Sequence, residues 1–460
     1  MKENTTRFVS AYLREWGAIL LGLTLFVLSL PLYESYSSRV VLGRWSHVYT
    51  AFTATAYSFW LGMLVWSVAR TRRGGREISA SKRLFGASVA LWGTAYMIAA
   101  LDSHASAGRI LDLNVVGSDQ PIAALIEFAS LSFGLLAAIS FFARRLPKRW
   151  QNAGVFVATT ALLILVGEGV ARVKAVAFPA TQGFPTYSSA LWSRRYVKLN
   201  SLGFRDVEHE KVKAPNTKRL LVIGDSFTFG VGIESVGDRF GELTARELDK
   251  RTREEWEPVN GGVPDTHTLQ HIGQLKRLID FDPDVTVLLY VFNDMDYLSP
   301  VTDRSRLAGP KTFAEKYSPD RVLFLNSYLY QEIFVRLRMV RFMMGAETAG
   351  PSPYDDDSLL ARHMEDLGKF VAIARAGGSA VLIVPYDNSI EASPALAEQY
   401  RHFLNAARSH GLPACSLADT FKDLPVKSLR VNSLDGHPNA AANRLAAAQA
   451  AACIVATAIG

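Results

Sequence analysis

Residues 219–232, RLLVIGDSFTFGVG, decide how the C-terminal part of this chain is read. Residues 219–223 form a short, mainly apolar run suited to a buried strand, and Gly224, Asp225 and Ser226 follow at its C-terminal end. A serine in that place can raise its hydroxyl over a sheet edge, where the next helix presents backbone N–H groups to developing negative charge. Working outward, residues 242–248 have a helical pattern. PVNGGVPDTHTLQHIGQLKRLIDF (258–281) then reads as a strand, a loop and a helix. DVTVLLYVFND (284–294) and SAVLIVPYDNS (379–389) are two further β-rich runs that end in polar residues, and a last helix starts near Asn439. Strands alternating with helices predict a mostly parallel sheet with helices on both faces, whose functional loops gather at the strand C-termini. The alanine-rich run at 445–459 reads as a helix packed into this domain, since it is short for a membrane crossing and follows a polar DGHPN loop.

Serine is a weak nucleophile without a neighbouring base. His437, in DGHPN, is the candidate base, and Asp435 is the candidate to orient it and stabilise its imidazolium form. Asn293 ends the 284–294 run, where its amide can donate to the oxyanion formed when a carbonyl is attacked, or cap the loop. Asp294 beside it reads as a loop organiser. His267 and His271 do not make a metal site by spacing, and no zinc, calcium or dinucleotide motif is present, so no cofactor or metal is expected. GDSFTFG is not the G-x-S-x-G elbow either, because Thr228 occupies its final position.

These segments together resemble the SGNH hydrolase superfamily, the GDSL-type esterases, and within it the membrane-anchored bacterial members. GDSFTFG (224–230), NGGVPDTHTLQ (260–270), FND (292–294) and DGHPN (435–439) look like its sequence blocks, and NSLGFRD (200–206) looks like the approach segment of that subgroup. The resemblance covers roughly 195–460. It implies a three-layer α/β domain with Ser226 as nucleophile, His437 as base and Asp435 as its partner. It also implies an oxyanion site made by the Ser226 N–H, Asn293 and a backbone N–H near Gly262 and Asp265. Two features depart from the pattern. Asp265 stands where a glycine is usual, and Asp435 and His437 are separated by one residue rather than two.

Charge and hydropathy divide the chain. The 460 residues carry a net charge of +7, and residues 1–174 hold 18 Lys and Arg against nine Asp and Glu. The basicity therefore belongs to the first third, and nucleic acid is not an expected partner. Apolar stretches at about 16–33, 49–69, 85–101, 121–143 and 151–171 each approach the ~20 residues that cross a bilayer. Strongly basic loops at 70–83 and 144–150 alternate with weakly basic ones, which places them in the cytoplasm. The sequence thus predicts a multi-pass α-helical membrane domain of five spans at 1–174 in the inner membrane, in contact with membrane lipid. An α/β domain at 175–460 would follow in the periplasm, with a helical insertion at 301–358. Glu127 and Glu168, inside apolar stretches, are candidates for an interhelical hydrogen bond or a relay. The insertion could bind substrate, lie on a membrane, cover the cleft or pack in the core, and PSPYDDD (351–357) reads as a mobile turn. Cys415 and Cys453 are either paired or separately packed.

The function expected from all this is serine-dependent hydrolysis of an acyl ester, by an esterase or deacetylase acting on a cell-envelope glycan or lipid, with envelope biosynthesis proteins as partners. Two alternatives use the same scaffold: an O-acyltransferase for an exported polysaccharide, and a non-catalytic envelope assembly or glycan-binding protein.

Overall fold

The structure, a computed structural model, describes residues 16–29, 80–105, 121–142, 147, 150–184, 186–298, 324, 327–343, 353–390 and 394–459. They fall into two compact units. One comprises the described residues of Met1–Ala180, Pro185–Leu191 and Lys311–Val335, and the other comprises Thr181–Phe184 and the described residues of Trp192–Pro310 and Arg336–Gly460.

The first unit contains α1 (Trp16–Ser29), α2 (Ala80–Ala105), α3 (Pro121–Phe142) and α4 (Gln151–Ala177). Gly22 on α1 and Gly93 on α2 lie backbone against backbone, where a Cβ on either would overlap the other helix. Ser88 and Ser130 join α2 to α3 by donating to each other's carbonyl, at 2.8 and 2.7 Å. Glu127 and Glu168 share one partner. The fully buried Arg172 donates from Nη1 to Glu127 at 2.7 Å and from Nε to Glu168 at 2.6 Å. Glu168 also accepts from Ser327 Oγ and from the backbone N–H groups of Tyr328 and Leu329, the first turn of α9 (Tyr328–Met343). A carboxylate there complements the positive end of the helix.

The expected five-span membrane domain is overturned. Among the described residues, only Asn152–Ala177 is long and apolar enough to cross a membrane. The apolar helices Trp16–Ser29 and Leu125–Ile139 are shorter. The 85–101 stretch lies in α2, which has Lys82 and Arg83 near its start and Asp102 and His104 near its end. The 49–69 stretch lies outside the described residues. The multi-pass inner-membrane location with a periplasmic C-terminal domain falls with the five spans.

The second unit is the α/β domain. After α5 (Tyr187–Tyr196), strands β1 (Thr217–Gly224), β2 (Glu255–Gly262), β3 (Val285–Tyr290) and β4 (Ala380–Pro385) form a parallel sheet in the order β2-β1-β3-β4. Leu220 and Val222 of β1 face one core with Phe240 and Leu248 of α7 (Phe240–Thr252), while Leu221 and Ile223 face the other with Leu275 of α8 (Thr268–Leu278). The continuous apolar strands are thus buried on both faces, as a parallel sheet between helical layers requires. Helices α10 (Asp357–Ala376) and α11 (Pro394–Ser409) contribute Phe370 and Phe403 to the second core.

The alanine-rich terminal run forms α12 (Ala440–Ile454), capped by Asn439, whose side chain accepts from the N–H groups of Ala441 and Ala442. Its small side chains, including the fully buried Ala446 and Ala450, let it pack closely in the first core. A short antiparallel pair, β5 (Arg430–Asn432) and β6 (Asp435–Pro438), precedes it. Because β1 lies between β2 and β3, the chain leaves it in opposite directions and opens a crevice at the C-terminal ends of β1 and β3.

Candidate active site

Ser226 opens the one-turn helix α6 (Ser226–Phe229) directly after β1. Asp225 caps that turn by accepting the Phe227 N–H at 2.9 Å. Gly224 is required here, because a Cβ would overlap Thr228 Oγ1 and come within 2.7 Å of the Leu289 carbonyl oxygen. The turn ends at Gly230, whose φ of 76° is a left-handed conformation natural to glycine.

β6 brings His437 to this turn. Ser226 Oγ lies 2.9 Å from His437 Nε2, and His437 Nδ1 lies 2.5 Å from Asp435 Oδ1. An ionised carboxylate only accepts, so Nδ1 carries the proton and Nε2 is left to accept from the serine. The one-residue separation of Asp435 and His437 suits a strand, where residues i and i+2 project to the same side. Burial would lower the His437 imidazole, but the charge and hydrogen bond of Asp435 raise it above its ordinary value. Burial would raise the Asp435 carboxyl, and His437, with Thr181 adding a hydrogen bond, brings it below its ordinary value.

Asn293 lies on the turn after β3 and faces the same cavity, with Nδ2 3.4 Å from Asp225 Oδ2. Ser226 Oγ also lies 3.3 Å from Asp225 Oδ2, and burial holds the Asp225 carboxyl above the ordinary range. Asp294 is fully buried and accepts the Val291 N–H at 3.1 Å, so it shapes the turn.

The expectation for Gly262 and Asp265 needs correcting. The Gly262 N–H donates to Asn260 Oδ1 at 3.0 Å, and neither residue lines the cavity. Gly262 instead gives close approach, since a Cβ there would overlap Phe229 N and stand 2.6 Å from the Thr228 carbonyl carbon. Asp265 is exposed with φ 61°, a left-handed conformation that aspartate tolerates better than most side chains and that explains glycine as the usual residue. His267 caps α8 and stacks on Tyr297, whereas His271 is buried beside Thr266, with burial lowering its imidazole to about 3.

Several residues at or behind the site carried no chemical motif. The cavity, about 280 Å³, is lined by Tyr386 and Asp387 as well as by Ser226, Phe227, Asn293 and His437. Asp387 folds back on its own loop through the Ser389 N–H at 2.7 Å, and burial raises its carboxyl. Arg205, in GFRD, is fully buried. Its guanidinium donates to the carbonyls of Gly230 and Ile233 at 2.6 and 2.7 Å and to that of Tyr196 at 3.0 Å. Asn260 Nδ2 takes the Thr228 carbonyl at 2.7 Å. A one-turn helix leaves its last carbonyls unpaired, and these two side chains satisfy carbonyls at and beyond its end. The only signal in the sequence was the place of Arg205 in NSLGFRD, read as an approach segment with no role for the arginine.

Residues 222–445 match the model of the GDSL-like Lipase/Acylhydrolase family. No curated protein matches the chain. Among solved structures, a lipase/acylhydrolase from Enterococcus faecalis is similar at 16% identity with a TM-score of 0.32, over 52% of this chain and 95% of its own. A catalytic mutant of an acetylxylan esterase from Geobacillus stearothermophilus is similar at 12% identity with a TM-score of 0.31, over 54% of this chain and 96% of its own. The crevice at the ends of β1 and β3, the buried His–Asp pair behind a GDS turn and the match over residues 222–445 fall on one α/β domain, which is similar to the GDSL-like Lipase/Acylhydrolase family.

Proposed function

We propose that this protein is a serine-dependent hydrolase of acyl esters, with Ser226 as nucleophile, His437 as general base and Asp435 as its orienting carboxylate. The observation that carries this reading is the unbroken chain from Ser226 Oγ to His437 Nε2 (2.9 Å) and from His437 Nδ1 to Asp435 (2.5 Å) on the wall of one cavity. His437 removes the Ser226 proton as Oγ attacks the ester carbonyl, and the imidazolium is stabilised by Asp435. The tetrahedral oxyanion is met by the Asn293 amide, released from its 3.4 Å contact with Asp225, and by the Ser226 N–H. Collapse breaks the ester C–O bond, and His437 returns the proton to the departing alcohol. Water then repeats the sequence on the acyl-serine and frees the acid.

A cavity of about 280 Å³ walled by Phe227, Phe292 and Tyr386 suits a short acyl group on one alcohol-bearing unit of a glycan or lipid. The closed hydrogen-bond chain argues against a purely binding role. The test is mass spectrometry of the full-length chain treated with an alkyl fluorophosphonate, whose phosphorus is attacked by an activated serine as fluoride leaves. A single adduct on Ser226 is expected, absent in Ser226→Ala. An equal adduct in folded S226A would refute the assignment. Release of free acid from an acetylated sugar, undiminished by added sugar acceptors, would support hydrolysis, while acylated acceptor as the main product would make the enzyme a transferase.

A further inference from the structure

Asn293 stands on a turn whose backbone is held from behind by side chains that are not among those lining the site's cavity. Val291 N–H donates to Asp294 Oδ2 at 3.1 Å, and Asp294 N–H donates to the Val291 carbonyl at 2.8 Å. The carbonyl of Phe292, the residue immediately before Asn293, accepts from the hydroxyl of Tyr354 at 2.9 Å. Tyr354 lies in the segment that the sequence marks as a mobile turn, yet it is 1% exposed and packs on the Phe292 ring with centroids 5.2 Å apart.

The hydroxyl has a partner of its own. Tyr354 Oη is in close hydrogen-bonding contact with Tyr290 Oη, and Tyr290 Oη is 3.1 Å from His363 Nε2 on α10. Proton counting fixes the direction. A tyrosine hydroxyl has one proton, and Tyr354 gives its own to Phe292, so Tyr290 must donate to Tyr354 and His363 must donate from Nε2. The chain then runs His363 to Tyr290 to Tyr354 to the Phe292 carbonyl, with every donor used.

We propose that Tyr354 is the positioning residue for Asn293: through the Phe292 carbonyl, the Tyr354–Tyr290–His363 chain sets the plane of the turn and aims the Asn293 amide at the carbonyl under attack. This rests on the reading of Asn293 as an oxyanion donor. Tyr354 touches no substrate and acts only through the backbone one residue away. The chain also gives a buried polar cluster a use, since a hydroxyl shielded from water is costly unless it is bonded.

The experiment is a double-mutant cycle on the full-length protein with 4-nitrophenyl acetate, using Tyr354→Phe, Asn293→Ala and the pair. Tyr354→Phe removes one oxygen and keeps the ring, and it is expected to lower kcat about tenfold, the equivalent of roughly one hydrogen bond, with KM within twofold. Asn293→Ala is expected to lower kcat by about 10²–10³, as loss of one oxyanion donor does. In the Asn293→Ala background, Tyr354→Phe should then cost nothing more. A purely structural tyrosine would instead give losses that multiply, and that result overturns the proposal. So does an unchanged kcat in Tyr354→Phe when Asn293→Ala is impaired, even with a lowered thermal midpoint. An unimpaired Asn293→Ala would refute the oxyanion reading itself, and the proposal with it.

Discussion

At the scale of single residues, the site is governed by competition between burial and one carboxylate. Burial pushes the His437 imidazole down and Asp435 pushes it up, and Asp435 prevails. The neutral imidazole is the form that accepts a proton, so activity falls as pH drops through this raised value. The acid limb of kcat/KM for the wild type should therefore lie above the ordinary 6.5. In Asp435→Asn the larger opposing push is gone and only the charge of Asp225 still opposes burial, which should move that limb to lower pH. The amide can also hold the wrong tautomer, so kcat should fall by about 10²–10⁴. A pH–rate profile of both proteins on an activated ester checks this, and an unmoved limb would show that Asp435 does not control the histidine.

At the scale of elements, the Ser226 turn is a one-turn helix that cannot hold itself. Its shape is imposed from three sides: by Asp225 at its start, by Arg205 and Asn260 on carbonyls at and beyond its end, and by the Gly262 backbone pressed against Thr228 and Phe229. Gly262→Ala should force that turn outward, with overpacking that costs about 1–3 kcal/mol together with most of the activity. Gly273 on α8 has nothing within 4 Å of where its Cβ would stand. Gly273→Ala should therefore leave activity unchanged and stabilise by about 0.4–1 kcal/mol, by restricting the unfolded chain. Denaturant midpoints and ester turnover of the two variants separate close approach from mere glycine content.

At the scale of the whole α/β domain, the last helix is tied down covalently. Cys415 and Cys453 form a disulfide with Cα atoms 6.1 Å apart and a sequence separation of 38. Cys415 belongs to a segment that hydrogen-bonds to Ile383 of β4 through its own N–H at 2.9 Å, so the bridge fixes α12 to the open edge of the sheet. Closing a loop of this length restricts the unfolded chain by about 4 kcal/mol in the chain-entropy view. Reduction, or Cys415→Ser, should lower the unfolding free energy by roughly 2–4 kcal/mol while the folded enzyme keeps its turnover. Guanidinium unfolding with and without reductant measures it, and coincident curves would show that the bridge adds no stability.

What the sequence determined by itself is local. β3 and β4 are nearly continuous apolar runs and β1 holds one at 220–223, so the alternation of strands with helices was legible, and with it a parallel sheet buried on both faces. Ser226, Asn293 and His437 could be picked out because each follows or forms a short motif whose chemistry depends on few neighbours. Tertiary structure decided everything that depends on pairing across the chain. It made the close Asp435–His437 spacing workable by placing both on one face of β6, and it directed the Gly262 N–H to Asn260 rather than to the cavity. It put Arg205 under the nucleophile turn and Tyr354 under Asn293, although neither had a motif to announce it. Among the described residues it left one helix, Asn152–Ala177, both long and apolar enough to cross a membrane. The division has one physical cause: a strand's burial is written in its own side chains, whereas a hydrogen-bond partner is chosen by whichever distant residue the fold brings within 3 Å.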